Sequence, residues 1–220
     1  MIPMSTASFW PVPFILDPNT LAIDAVVAFC VSVLVTITIN AEAQAFMSNL
    51  LGDRRPGARD RLHFNAFLHL DILGSICFLV GGFGWPRAFD IDPGKFEYPR
   101  FYLVLTRVAG PVANLLMASI VGSMAMLINA FEYNPRVFLM VIGVNITTAI
   151  YNLIPIPPLA GGAFLSALMP REWDRVKWWF NQMGPYLILA IVLLARIKGE
   201  MPLGTYLNPL VTAIYNYIKG

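Results

Sequence analysis

Four stretches of this chain, residues 25–41, 108–131, 137–170 and 178–195, contain no Asp, Glu, Lys or Arg. About 20 apolar residues in a helix cross the hydrocarbon core of a bilayer, and only helices or closed barrels satisfy their own backbone groups there. These runs set the expected fold class: an all-α, polytopic membrane helical bundle with about five to six transmembrane helices. Composition agrees, with 57% hydrophobic and 13% charged residues against about 25% charged in a soluble domain. Residues 66–84 offer a shorter, glycine-interrupted span. Residues 201–218 either span or lie in the interface.

Residues 1–20 carry four prolines and several aromatic residues, which suits an interfacial N-terminal segment ahead of a single transmembrane helical domain, residues 21–220. The first 53 residues hold no Lys or Arg, so the basic region of a cleavable signal peptide is missing. Arg54, Arg55, Arg59 and Arg61 follow the first span, and the positive-inside rule puts them in the cytoplasm and the N-terminus outside. The expected setting is a bacterial inner (cytoplasmic) membrane, crossed several times. The first helix is predicted from Leu21 to Leu51, with Gly52 as its stop. The RAFDID stretch in the proline-rich loop at 84–100 reads as a short strand. The charged stretch at 171–177, followed by Trp178 and Trp179, marks a membrane boundary. Cys30 and Cys77 lie in apolar runs and read as buried free thiols. A net charge of +2 gives no reason to expect nucleic acid.

Near the end of the first run the chain reads NAEAQAFMSNLLGD. Asn40 and Gln44 are four residues apart, on one helix face. Two histidines at that spacing, with a glutamate after the first, make the H-E-x-x-H zinc site of a metalloprotease; here the three positions hold Asn40, Ala41 and Gln44. About a hundred residues later comes NLIPIPPLAGG, where Pro155, Pro157 and Pro158 must interrupt a helix inside an apolar region. Membranes tolerate such a break only where the freed backbone faces protein or a cavity.

Together these stretches resemble the site-2 protease family of zinc-dependent intramembrane metalloproteases, over about residues 21–215. Leu51, Gly52 and Asp53 match the L-G-D that ends the family's first motif. Asn65, His69, Asp71 and Gly74 match N-x-x-x-H-x-D-x-x-G, and residues 81–85, GGFGW, are similar to a G-G-F-x-x-G-W stretch. The A-G-P-x-A-N segment is intact at residues 109–114, and N-x-x-P-x-P-x-L-D-G-G is present at 152–162 except that its aspartate is Ala160. The resemblance implies that the two zinc-binding histidines fall on Asn40 and Gln44, the general base on Ala41 and the third ligand on Ala160. All four are changed. A catalytic zinc needs three protein ligands and a carboxylate to take a proton from its water, so the implied expectation is no metal, no cofactor and no enzyme.

Each remaining polar residue carries a structural and a functional reading. Asn40 and Gln44 either cross-link helices, with Asn114 and Asn152 as partners, at roughly 0.6–2 kcal/mol per bond, or bind a ligand in the remnant cleft. Glu42 points away from their face and is expected to meet another subunit, the headgroup region or Arg107. His69 and Asp71 are expected to hydrogen-bond backbone or each other, or to contact a lipid, pigment or cofactor. A displaced metal site would have to draw on His63, His69, Asp71 and Glu42. The resulting expectation is a non-catalytic scaffold or accessory subunit of a larger membrane complex, meeting other integral membrane proteins and lipids laterally. The alternatives are a client-binding pseudoprotease, an active protease with displaced ligands and a small transporter.

Overall fold

The computed structural model describes residues 23–55, 63–88, 90–198 and 204–219. The proposed interfacial segment at 1–20, and Arg59 and Arg61 of the basic loop, lie outside the described residues. The described chain is all-α: α1 (Ile23–Leu50), α2 (Ile72–Gly81), α3 (Pro99–Ala130), α4 (Arg136–Tyr151), α5 (Ala160–Leu168), α6 (Asp174–Lys198) and α7 (Gly204–Lys219). Single 3-10 turns at Ala66–His69, Pro93–Lys95 and Arg171–Trp173 connect them.

Serine and threonine do not break α1, because Ser32 Oγ donates to the Ala28 carbonyl at 2.6 Å and Thr38 Oγ1 to that of Leu34 at 2.7 Å. The helix stops where the sequence predicts. Gly52 takes φ +125°, and the Leu51 and Asp53 amides close on the Met47 and Ser48 carbonyls.

Among the described residues, three helices are long and apolar enough to span a membrane: Ile23–Leu50, Pro99–Ala130 and Asp174–Ala195. Ile72–Gly81 and Arg136–Tyr151 are shorter apolar helices. The uncharged run at 137–170 does not stay helical, because its prolines end α4 after 16 residues; α7 is also 16 residues long. Such a helix is about 24 Å long, short of a core about 30 Å thick.

The centre of the bundle is α4. Every residue from 141 to 151 is buried, as expected of a helix covered on all sides. α1 and α3 pack on it and on each other, α5 lies on α3, α7 leans on α3 and α4, and α2 pairs with α6. Ile142, Ile146, Tyr151, Phe83 and Leu159 are fully enclosed in one core. Cys77 belongs to it, but Cys30 is exposed, because it lies on the outer face of α1; its expected burial is corrected.

The RAFDID strand does not form among the described residues, which show only an isolated bridge between Leu70 and Pro86; Phe89 lies outside them. The backbone groups of this loop are used elsewhere. Arg87 N donates to the His69 carbonyl at 2.7 Å, and Asp92 N to the Asp53 carboxylate at 2.9 Å. At the start of α6, Trp178 and Trp179 are both exposed, in keeping with an interfacial pair.

Asp71 caps α2. Its Oδ1 accepts from Gly74 N at 2.7 Å and from Trp85 Nε1 at 3.0 Å, pinning the 82–86 turn to the helix start. His69 is not its partner. Asp71→Ala should cost about 1 kcal/mol through the lost cap and shift Trp85 emission, to be read by thermal melting and fluorescence in detergent; unchanged emission would remove the Asp71–Trp85 bond.

Candidate functional site: a polar cleft and a neighbouring His–Glu cluster

Gln44 from α1, Arg107 from α3, and Asn152, Pro157 and Ala160 around the break all line one cavity of about 400 Å³. The break that puts them there is tightly built. Asn152 O accepts from Gly161 N at 2.8 Å, and Ile156 O from Leu159 N at 3.1 Å. α5 can start so close only because Gly161 and Gly162 lie directly against the backbone of residues 153–157, where a Cβ would collide. Of the four aligned positions, Gln44 and Ala160 meet in this cavity, Ala41 lines a second one, and Asn40 sits beneath the cleft, 1% exposed, with its amide pressed against Gly110 of α3.

The chemistry at these positions does not fit zinc. Gln44 Nε2 donates to Asn40 Oδ1 at 2.7 Å, and Arg107 Nη1 donates to Gln44 Oε1 at 2.9 Å. Both amide oxygens are committed, Ala41 and Ala160 offer no ligand atom, and a guanidinium stands where a dication would have to sit. The expected amide cross-link between helices exists, but its partner is Arg107. Asn152 Nδ2 instead donates to the Thr148 carbonyl at 2.8 Å, within one turn of its own helix, and Asn114 Nδ2 and Oδ1 are buried without a hydrogen-bond partner. The sequence offers Arg107, just outside the uncharged run at 108–131, as a partner of Glu42 on α1; on that helix it donates to Gln44.

The outer wall of the cleft includes Asp90, Ile91 and Pro93. It is tied to α1 through Asp53, whose carboxylate accepts from Arg55 Nε at 2.7 Å, Arg55 Nη2 at 2.8 Å and Asp92 N at 2.9 Å. Arg55 also reaches Asp90 Oδ2 at 2.9 Å. The Arg55 guanidinium, despite some opposition from burial, holds the Asp53 carboxyl down at about 2, below its ordinary 3.8. The L-G-D stop is thus also a fastener between two loops.

Glu42 points into the protein, against the 63–69 segment. It is 5% exposed, and its Oε1 accepts from His63 N at 3.1 Å, Phe64 N at 2.9 Å and His69 Nε2 at 3.0 Å. The His63 and His69 rings stack at 4.7 Å. Among the described residues, Glu42, His63 and His69 place their ligand atoms within 4.8 Å of one another. Asp71 takes no part in this group. Beside it lies a second cavity of about 270 Å³, lined by both imidazoles, Ala41 and Ala45, and sharing Arg87 and Ala88 with the cleft.

Fold and site together define an α-helical membrane protein built around a polar cleft. Over 188 residues the chain is 31% identical to a Bacillus subtilis (strain 168) protein named "Putative zinc metalloprotease YwhC", covering 81% of this chain and 84% of that one. The chain belongs to that site-2-protease-like family of membrane proteins. No family model matches it, and no solved structure does. The expectation of no enzyme is corrected by this relative, whose name points to an enzyme, and by the Glu42, His63 and His69 group, which could hold a metal away from the changed positions.

Proposed function

We propose that the chain acts on membrane-embedded polypeptides by taking an unwound stretch of a client segment into the cleft between α1, α3 and the 152–159 break. The lining of the cleft carries this reading. Gln44, Arg107, Asn152 and Asn181 present hydrogen-bonding groups beside Trp85 and Pro157, in helices that are otherwise apolar. A backbone that leaves helical form inside a bilayer needs such partners, since each unpaired amide costs several kcal/mol there. The volume falls within the usual range for a ligand cleft, roughly 300–1,000 Å³. That the relative is named a metalloprotease supports a polypeptide as the client. The proposed setting is a bacterial inner membrane crossed several times, with the N-terminus outside, where clients arrive laterally.

A second reading is favoured by the hydrogen-bonded chain Arg107–Gln44–Asn40, which gives the cleft a fixed floor. On this reading the client stays, and the chain serves as a scaffold or accessory subunit of a larger membrane complex.

The test uses full-length protein in liposomes with a photo-crosslinking residue in place of Ala163 at the cleft. A synthetic membrane-spanning peptide with a Gly-Pro break at its centre should crosslink several-fold more than an unbroken leucine helix. The same probe in place of the exposed Leu194 should not distinguish the two. Equal labelling of both peptides from position 163 would remove the reading. The size of the labelled peptide separates processing from retention.

A further inference from the structure

We propose that Glu42, His63 and His69 form a divalent-metal site for zinc or a similar borderline cation, built from residues other than the four aligned with the family's zinc centre. Two imidazoles and a carboxylate are a ligand set suited to zinc, and three protein ligands with an open fourth position leave room for water or another donor. His69 is 7% and Glu42 5% exposed, so two of the three ligands are held inside the protein.

A second observation is independent of the clustering. Glu42 Oε2 is buried and makes no hydrogen bond, although Oε1 of the same carboxylate takes three. A buried carboxylate oxygen left bare is costly, and a bound cation would satisfy it. The cavity of about 270 Å³ against both imidazoles gives the ion an entry path and space for its fourth ligand.

The geometry is close to a site but open. Neighbouring ligand atoms on a tetrahedral ion with bonds of about 2.0 Å stand roughly 3.3 Å apart, so the three atoms, now within 4.8 Å of one another, must draw together. The exposed His63 can supply that movement, giving up the Asn65 amide that its Nδ1 now accepts at 3.1 Å. At His69, an ion at Nε2 displaces the hydrogen bond to Glu42, and the ring proton moves to Nδ1. Arg87, at the rim of the cavity, is exposed and free to swing into solvent.

The position of the site gives it meaning. Ala41, aligned with the family's general base, lines the cavity beside the two imidazoles, and only Arg87 and Ala88 are shared with the cleft. An ion here would lie one wall away from a segment in the cleft. The metal site stands independently of the proposed client, and its test does not involve one.

The experiment uses the full chain, purified in detergent without a histidine tag and equilibrated with micromolar zinc. Metal content is measured by mass spectrometry, and cobalt is then substituted to read its ligand-field spectrum. The expected result is about one ion per chain and a spectrum of low-symmetry nitrogen and oxygen coordination. Losing a group that merely orients a ligand weakens metal binding about 10–100-fold, so His63→Ala should weaken it by about 100-fold or more. His63 is exposed, so the metal-free melting temperature of that variant should match the parent, separating ligation from folding. Glu42→Gln and His69→Ala should also abolish the cobalt spectrum, whereas Asn40→Ala and Gln44→Ala should leave it unchanged. Substoichiometric zinc, parental affinity in His63→Ala, or loss of the ion only in the Asn40 or Gln44 variants would each overturn the proposal.

Discussion

Gly162→Val is expected to destabilise the protein by about 3 kcal/mol, the upper end for forcing a group into a packed interior. A Cβ at this position would meet the Pro157 nitrogen and the backbone of Ile156, with the Ile156 carbonyl oxygen 2.7 Å away. These are main-chain atoms of the break itself, which cannot rotate aside like the end of a long side chain. The start of α5 or the break must therefore move, and Pro157, Pro158 and Ala160 would move with it in the wall of the cleft. Gly143→Ala is the control. Its Cβ meets only the Tyr215 ring, at 3.8 Å, and a helical Gly→Ala change is otherwise favourable by about 1 kcal/mol. Thermal melting followed by size-exclusion chromatography should lose the Gly162→Val peak well below the parent temperature while Gly143→Ala stays at or above it. Equal melting of the two variants would mean that α5 does not pack on the break as described.

The second large effect is at Asp53. The folded protein holds this carboxyl at about 2, against 3.8 in an unperturbed chain, because two nitrogens of Arg55 and the Asp92 amide bond its charged form. The unfolded chain therefore binds more protons between these values. The stabilisation, about 2 kcal/mol, is fully present above roughly pH 4 and is shed as the pH falls toward 2. Melting curves between about pH 5 and 2.5 should show Asp53→Asn with a lower plateau and a shallower decline than the parent. Asp90→Asn should change little, because Asp90 is exposed and its ion pair lies in water. If Asp53→Asn and the parent fell in parallel over that range, the carboxylate would not be the fastener. Because the same contact holds the Asp90–Pro93 wall, that wall should open first on acidification.

Several parts of this architecture are legible in the sequence because they depend on local chemistry. Uncharged runs identify a helical membrane protein, since a bilayer leaves the backbone few other choices. Gly52 marks the end of α1 because only glycine takes φ +125° without strain. Pro155, Pro157 and Pro158 show that the run at 137–170 must break. How the run at 137–170 divides was not legible in full: an uncharged run can supply a short buried helix, a break and a second short helix as readily as one long span.

The two charged contacts at the site depend on the tertiary arrangement. Helical spacing correctly put Glu42 off the Asn40 and Gln44 face, but it said nothing about what covers that side. The cover is a chain segment returning 21 to 27 residues later, whose backbone amides and His69 ring all converge on one carboxylate oxygen. No local pattern encodes such a return, because it follows from how the 63–69 segment closes against α1. Likewise Arg107 reaches Gln44 only because Gly110, one helical turn further on, lets α3 come up against Asn40. The sequence alone determined a helical membrane protein of this family and showed that zinc ligands are missing from the aligned positions. Only the packing of α1 against α3 and the 63–69 segment decided that the aligned positions are filled by an arginine-capped amide chain and that histidine and carboxylate meet one wall away, because these are contacts between helix faces and loops that no single stretch of chain specifies.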